Sequence, residues 1–247
     1  RAREYVPDAL QVFPPPRADI QTALTVLGRR TEARLAFEKR EKFRLDLRDT
    51  ELPHADLTAA RLGPALLTNA NLQGARLRDA NLRRAGLWRA NLQGARLERA
   101  NLRGARLGRA NLQGARLGHT KLQGARLVGA NLQGARLWGS NLQGARLVGA
   151  RLDSANLRDW ICARTSLRSV ELKGAKNLDA DSVNSAFGVR AGIGLTSLPD
   201  GMAYPDHWHV AEDAEEDSRE ARIAYYNAYR AWLRTLPPAS PAPGDPA

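Results

Sequence analysis

Cysteine and long apolar runs are scarce in this sequence, and each absence excludes a class of protein. The single cysteine, Cys162, excludes a disulfide within the chain, argues against a cysteine-rich metal site and fits a reducing compartment. No run approaches the roughly 18–20 consecutive apolar residues that cross a bilayer, so we expect a cytoplasmic protein. The chain starts at Arg1 and not at methionine, so residues upstream stay an open alternative. A membrane segment there would make the protein membrane-associated.

Acidic residues are scarce in the middle of the chain. Between residues 71 and 151 there are 16 arginine and lysine residues against two acidic ones, Asp79 and Glu98, which leaves a surplus of 14 positive charges. The formal charge of the whole chain is +12, so the remainder is close to neutral. Any function of the basic charge therefore belongs to this middle region.

Aromatic residues are also few, at 6% of the chain, and what replaces them is a repeat of leucine and alanine. Leucine recurs at every fifth position from Leu47 to Leu157 and again at Leu167 and Leu172, with Cys162 in the one vacant slot. Two residues before each leucine the side chain is nearly always small, as at Ala70. The repeating unit is alanine, asparagine or arginine, leucine, and two variable residues.

A period of five fits neither regular secondary structure. On an α-helix, at about 100° per residue, the leucines would spiral around the rod, and on a flat strand they would alternate between the two faces. A short extended segment followed by a corner removes the conflict, with alanine and leucine inward and the residue between them outward. Four corners close a coil of 20 residues that stacks on the next at about 4.8 Å. We therefore predict an all-β solenoid of about 6–7 coils.

Two units carry a specific resemblance, Ala70-Asn71-Leu72-Gln73-Gly74 and Ala90-Asn91-Leu92-Gln93-Gly94. They resemble the pentapeptide-repeat family, whose members form a right-handed quadrilateral β-helix, and the resemblance covers about half of the chain. The segments 19–30, 198–201 and 205–208 are similar to bacterial members with an upstream membrane-anchored region. Acidic members of the family imitate DNA and bind type II topoisomerases. The positive charge here has the opposite sign, so that function is not expected.

Short helices are expected to flank the repeats, because the open ends of a solenoid expose unpaired strand edges. Before the repeats, one helical face holds Ile20, Ala23, Leu24 and Leu27. After them, Asp179 or Asp181 begins a short helix that runs through Ala186 and is ended by Gly188, and an acidic first turn opens a longer helix from Ala211 to Leu236. The predicted organisation is an N-terminal helical segment and linker (1–42), the β-helix (43–176), a C-terminal cap, loop and helix (177–236) and a disordered tail (237–247).

A period of 20 residues per coil arranges the outward side chains in columns. Arginine is predicted to stack on two opposite faces, and asparagine to form amide ladders on the two faces between them. The arginine columns are a candidate site for a polyanion, either nucleic acid or anionic lipid. A tolerated surface arginine that was copied with its repeat unit is the alternative explanation. The two columns are Arg76, Arg96, Arg116, Arg136 and Arg106, Arg126, Arg146.

Exposed aromatic residues are candidates for a protein partner or a homodimer contact. Trp88 and Trp138 stand at outward corners, and Val128 and Val148 share the column of Trp88. In the C-terminal helix the aromatic residues fall at helical spacing, which fits packing on the tube, a dimer or partner interface, or a membrane-surface contact. These aromatic residues are Tyr225, Tyr229 and Trp232.

Nothing in the sequence pairs a nucleophile with a base. His207 and His209 are spaced for a metal, but no third ligand stands nearby, and His54 and His119 are isolated. The Gly192-Ile193-Gly194 segment lacks the third glycine and the preceding strand of a dinucleotide loop. We therefore expect an interaction scaffold that is not an enzyme and that uses no metal, cofactor or small-molecule substrate.

Overall fold

The computed structural model describes residues 14–41, 43–178, 180–187, 189–191, 196, 198–199, 202–210 and 219–236. Helices α1 (Ala18–Gly28) and α2 (Glu32–Arg40) precede the repeats. After the repeats come α3 (Ala180–Asn184), strand β1 (Val189–Ala191), strand β2 (His209–Val210), which pairs with β1 in parallel, and α4 (Arg219–Thr235). None of the described helices has the length and hydropathy needed to cross a bilayer.

The repeats form a β solenoid, as predicted, with a period of 20 residues. Single parallel β-bridges join each outward residue to the one 20 positions later, and they build four columns. Face 1 contains Asp46, Leu66, Gly86, Arg106, Arg126, Arg146, Ser166 and, one residue out of register, Phe187. Face 2 contains Glu51, Asn71, Asn91, Asn111, Asn131, Arg151 and Glu171. Face 3 contains Asp56, Arg76, Arg96, Arg116, Arg136, Asn156 and Lys176, and face 4 contains Arg61, Asn81, Asn101, Lys121, Asn141 and Ile161.

The core of the tube consists of the stacked leucine and alanine side chains. From Ala65 to Leu157 every inward leucine and alanine is at most 1% exposed, and each buried leucine contributes about 1.5–3 kcal/mol of hydrophobic free energy. Backbone hydrogen bonds join the coils: Leu72 N donates to Asn91 O at 2.7 Å, and Asn91 N donates to Ala70 O at 2.9 Å. Cys162 occupies its leucine slot as a buried side chain, with its Sγ 3.7 Å from Ser185 Oγ.

Each corner depends on a residue in the left-handed backbone region. The last residue of the unit has a positive φ, for example 57° at Arg89 and 65° at Gly94. Asparagine in the outward position supports the turn, since Asn91 Oδ1 accepts a hydrogen bond from Gln93 N at 3.2 Å. Glycine is frequent at this place because it adopts a positive φ without steric cost.

Helix α1 caps the first coil through polar contacts. Gln21 Nε2 donates to Asp56 O at 2.7 Å, Asp56 N donates to Gln21 Oε1 at 2.8 Å, and Arg61 N donates to Gly28 O at 2.8 Å. These bonds satisfy backbone amide and carbonyl groups at the edge of the tube, where no preceding coil is present to pair with them. The predicted apolar face of this helix is only partly buried: Leu24 joins the core of the tube and Leu27 is half-buried, but Ile20 and Ala23 are exposed. The helix therefore docks through Leu24 together with these polar bonds.

Helix α2 begins at an N-cap, where Thr31 Oγ1 accepts a hydrogen bond from Arg34 N at 3.2 Å. Its one buried residue is Glu38, which forms ion pairs with Arg30 at 2.6 Å and with Arg34 at 3.0 Å. Arg30 also donates to the carbonyl oxygen of Arg61. The ion pair therefore joins α2 to the first coil.

The C-terminal end of the tube is closed by α3, Phe187 and α4. Leu167 N donates to Phe187 O at 2.8 Å, so the chain continues face 1 after a 21-residue step. The short helix ends at Asn184, two residues before the predicted Ala186. Helix α4 is described from Arg219. The predicted acidic turns before it, the 192–194 segment, Asp179, Gly188 and the tail from 237 lie outside the described residues.

Candidate polyanion-binding face

The seven predicted arginines lie in register on two opposite faces, but the two faces differ in their acidic neighbours. On face 3, Arg76 lies 3.7 Å from Asp56 and Arg116 lies 2.9 Å from Glu98. Arg96, between these pairs, and Arg136, in the coil after them, are exposed. Carboxylates therefore neutralise part of the face 3 column.

Face 1 has no acidic residue from Gly86 to Arg146, either in its column or on the corners beside it. Arg106 and Arg126 are exposed in consecutive coils. Arg89 and Arg109 stand at the corner that follows, and both are exposed as well. With guanidinium groups repeated at about 4.8 Å, neighbouring charges repel by about 1 kcal/mol or less in water. A bound anion would remove that repulsion.

Arg146, the last arginine of the face 1 column, is engaged within the chain. It donates a hydrogen bond to the Tyr226 hydroxyl, and its Cζ lies 5.0 Å from the centre of the Tyr226 ring. This contact joins the tube to α4. Arg146 therefore already has an aromatic partner within the chain, and its assignment to a polyanion site stays a prediction.

Trp88 and Trp138 each lie against a glycine of the neighbouring coil. A Cβ added to Gly108 would stand 2.2 Å from the Trp88 ring, and one added to Gly118 would stand 2.5 Å from the Trp138 ring. Trp88 is 40% exposed and Trp138 41% exposed, so each ring has one covered and one free side. The glycine 20 positions from each tryptophan was the signal in the sequence that would have predicted this packing.

Both tryptophans also contact a basic or imidazole side chain. The Arg109 Cζ lies 5.7 Å from the Trp88 ring, a cation–π distance that fixes this ring beside the face 1 arginines. His119 contacts Trp138 edge to face, with 4.2 Å between ring centres. Trp88 therefore belongs to the same surface as Arg106 and Arg126, whereas Trp138 belongs to face 3.

The asparagine columns form a hydrogen-bonded ladder on face 2. Asn71 Nδ2 donates to Glu51 Oε2 at 2.7 Å, Asn91 donates to Asn71 at 3.2 Å, and Asn111 donates to Asn91 at 3.4 Å. On both faces 2 and 4, asparagine side chains also accept from the backbone amide two residues later, as at Asn91, Asn81 and Asn101. Faces 2 and 4 therefore stabilise the tube and carry little charge between the arginine faces.

The aromatic residues of α4 pack on the tube. Tyr225 is 1% exposed, its hydroxyl lies 2.8 Å from Ser166 Oγ and donates to Phe187 O at 3.2 Å. Tyr229 donates to Arg164 O at 2.6 Å, and the half-buried Trp232 ring lies 5.2 Å from that of Phe187. These aromatic residues of α4 therefore pack within the chain, which is one of their three predicted roles. This corrects the assignment of Tyr225 to a partner surface, because a buried ring has no area to offer.

Alkaline pH is expected to loosen the C-terminal cap. Burial raises the pKa of Tyr225 well above its ordinary value of 10.0, and burial also raises the pKa of Tyr229. The folded state holds the Tyr225 proton more tightly than the unfolded chain, so its stabilisation is complete below pH 10 and declines above it. Thermal unfolding followed from neutral to strongly alkaline pH should show this decline. In the Tyr225→Phe variant, which has no proton to lose, the decline should be smaller, and an identical profile would contradict the assignment.

The described residues contain no group of three or more histidine, cysteine, aspartate or glutamate side chains placed to hold a metal. His207 Nε2 lies 2.8 Å from Ala186 O, and its ring stacks on Trp232 with 5.5 Å between centres. His54 and His119 lie over the corner glycines Gly74 and Gly139. These three rings therefore have packing roles.

This geometry defines a four-sided repeat solenoid with capped ends and an arginine-bearing face. A family model described as pentapeptide repeats matches the chain in eight copies, at residues 60–99, 80–118, 90–129 and 120–159. Residues 60–159 of the tube thus match pentapeptide repeats, the family that the repeat units resemble. No curated protein matches the chain at a significant level.

Three solved structures show the range of similar proteins. HetL of the cyanobacterium Nostoc, a pentapeptide repeat protein involved in heterocyst differentiation regulation, is 25% identical over 72% of this chain and 98% of its own, with a TM-score of 0.27. QnrB1, a plasmid-mediated fluoroquinolone resistance protein, is 12% identical over 74% of this chain and 96% of its own, with a TM-score of 0.31. A pentapeptide repeat protein from the Arabidopsis thaliana thylakoid lumen is 29% identical over 47% and 70%, with a TM-score of 0.17. The TM-scores of these superpositions are low, so no function is inferred from them.

Proposed function

We propose that this chain is a non-catalytic interaction scaffold that binds a polyanion through face 1. Pentapeptide-repeat proteins are generally structural or interaction proteins, which agrees with a chain whose sequence pairs no nucleophile with a base. The observation that carries the proposal is the exposure of Arg106 and Arg126 in register, on a face with no carboxylate between Gly86 and Arg146. Face 3 is the weaker candidate, because Asp56 and Glu98 hold two of its arginines.

The physical reason for binding is the release of counterions. Each phosphate that an arginine neutralises releases counterions from the polyanion, which makes the affinity fall steeply with salt. Arg89 and Arg109 extend the basic surface across the corner, and the free side of Trp88 offers a ring on which a base or an acyl chain could pack. The spacing of about 4.8 Å does not match the 3.4 Å rise of a DNA strand. Sequence-specific DNA recognition is therefore not part of the proposal.

The test removes the two free charges of face 1 without changing the fold. Asparagine occupies the same outward position on faces 2 and 4, so the double variant Arg106→Asn, Arg126→Asn keeps a side chain that the coil accepts. We expect weaker retention on heparin and a salt slope smaller by roughly 0.7–0.9 per arginine removed. The matched control is Arg96→Asn, Arg136→Asn on face 3, which removes equal charge.

Two further measurements decide the kind of polyanion. A single-stranded oligonucleotide and vesicles containing anionic lipid are offered separately to the same variants. Loss of binding to one of them in the face 1 variant identifies that ligand. Equal losses in the face 1 and face 3 variants would show a general effect of net charge and would contradict a site on face 1.

A protein partner is the second candidate function, and the half-exposed tryptophans favour it. Along the corner that contains Trp138, Arg158 and Arg99 form ion pairs with Asp159 and Asp79. A homodimer formed through this ring should dissociate in the Trp138→Ser variant. A monomer at high concentration in light scattering would count against self-assembly, although not against a foreign partner.

Three finer statements about the molecule are proposals as well. The tube is proposed to be right-handed with about 6–7 coils, and α1, α2 and α4 are its caps. The protein is proposed to be cytoplasmic, in agreement with its single cysteine, which excludes a disulfide within the chain. An upstream membrane segment would place face 1 near lipid and would favour anionic head groups over nucleic acid.

A further inference from the structure

A cavity of about 530 Å³ lies between helix α2 and the first coils of the tube. Its walls come from α2, from the linker that follows it and from the corner between faces 4 and 1. The size is within the range of about 300–1,000 Å³ that is usual for small-molecule sites. The cavity is separate from Arg106 and Arg126, so it is independent of the polyanion face.

The interior of the cavity is largely apolar. Leu35 comes from α2, Phe43 and Leu45 come from the linker, and Pro64 and Ala65 come from the first coil. The Phe43 ring is half exposed although it stands between two packed elements. An apolar wall left open in this way favours a ligand with an apolar body, because such a ligand would remove that surface from water.

Cations surround this apolar interior. Lys39, Arg44, Arg83 and Arg84 line the cavity, and none of the four has a carboxylate within ion-pair distance in the part of the chain that the structure describes. Four cations with no counterion around an apolar pocket favour an anionic group on the ligand.

The one carboxylate in the wall is already neutralised. Glu38 is held by Arg30 and Arg34, and the Arg30 and Glu38 side chains are both 8% exposed. Arg30 lines the cavity, and its Nε is buried with no hydrogen-bond partner. A buried donor without an acceptor costs about 1–3 kcal/mol, so an oxyanion bound at this wall would relieve that cost.

Two adjacent arginines occur at this corner in one coil, since Arg103 is followed by Gly104 and Arg164 is preceded by Ala163. At the same two corner positions, later coils have Gln123 and Gly124, then Gln143 and Gly144, in place of Arg83 and Arg84. Arg84 adopts a φ of 60°, a conformation in which glycine is less strained. Two neighbouring arginines thus stand only where α2 provides the opposite wall.

We propose that this cavity binds a small amphiphilic anion, with an apolar body in the interior and a carboxylate, phosphate or sulfonate group among the four cations. The ligand would contact α2 and the tube at the same time. Its binding would therefore stabilise the N-terminal cap as well as fill the cavity.

The experiment uses 8-anilinonaphthalene-1-sulfonate, a fluorescent probe with an aromatic body and one anionic group, and measures its fluorescence with the full chain. We expect one saturable site. Octyl phosphate should compete with the probe. Inorganic phosphate should not compete, because it lacks an apolar body, and an octyl trimethylammonium salt should not compete, because it lacks a negative charge. Competition by inorganic phosphate as strong as by octyl phosphate would overturn the apolar part of the proposal.

Two variants test the two walls separately. The double variant Arg83→Gln, Arg84→Gly gives the tube wall the residues of the later coils, and Lys39→Glu reverses a charge on the α2 wall. Each should weaken probe binding about tenfold, which corresponds to about 1.4 kcal/mol. The controls are Arg99→Gly with Arg96→Asn, and Lys121→Glu, which change the same charge outside both the cavity and face 1. Equal binding in the variants and the wild type, or equal losses in the controls, would overturn the site while leaving the face 1 test unaffected.

Discussion

Replacing Leu112 by alanine is expected to lower the free energy of unfolding by about 3 kcal/mol, within the range of about 2–5 kcal/mol for a buried leucine. Leu112 is 1% exposed and stands in the middle of the tube, with Leu92 and Leu132 at the same position in the coils before and after it. The backbone on both sides is fixed by hydrogen bonds between coils, such as Leu112 N to Asn131 O at 2.7 Å. The coil therefore cannot collapse to fill the space, and the cavity remains.

Urea unfolding monitored by circular dichroism measures this loss. The control is Lys121→Asn, an exposed outward position at which Asn101 and Asn141 stand in the adjacent coils. A surface change of this kind should stay within about 0.5 kcal/mol. If Leu112→Ala were as mild as the control, the leucines would not be the core of the tube.

Replacing Tyr225 by alanine is expected to detach α4 and to cost about 3–5 kcal/mol locally, by analogy with other buried aromatic residues. The ring is in contact with Phe187, 5.6 Å between centres, and stacks on Tyr229 at 6.3 Å. Its hydroxyl also forms a hydrogen bond with the hydroxyl of Ser166, the last face 1 residue in the regular 20-residue register. Without the ring, the helix loses its central contact and the last coil loses its cover.

Hydrogen exchange measures the detachment directly, as faster exchange in α4 and in the coil around Ser166 with no change in the middle of the tube. An uncovered β edge also promotes association between chains, so light scattering should detect aggregation. Arg230→Gln is the control, because Arg230 is exposed on the same helix. If α4 exchanged as slowly in Tyr225→Ala as in the wild type, the cap would not depend on this residue.

The sequence predicted the tube more successfully than it predicted the surfaces. A period of five with alternating inward and outward positions admits one closed arrangement, and the bridge from Arg76 to Arg96 and onward to Arg136 has the predicted spacing. The contacts that those arginines make with other side chains could not be predicted in the same way. Glu98 reaches Arg116 from the neighbouring coil, and Tyr226 reaches Arg146 from 80 residues away. A column read from the sequence does not show such contacts.

The caps illustrate the same limit. The apolar spacing of Ile20 and Leu24 suggested that α1 packs as an amphipathic helix, but Ile20 is exposed, and Gln21 adds two hydrogen bonds to the backbone at Asp56. Side-chain hydrogen bonds to strand edges have no periodicity, so no sequence pattern predicts them. The cavity under α2 was equally invisible in the sequence, because its walls come from segments about 45 residues apart.

By itself, the sequence determined the period, the inward residues and the stacking of like positions, because each repeat buries its leucine only by stacking on identical neighbours. The tertiary structure alone decided where the helices close the two ends, which arginines they leave free and which they occupy. That difference has a physical origin: repeat packing is a local interaction between adjacent coils, whereas the caps and the charge pairs depend on contacts between distant parts of the chain.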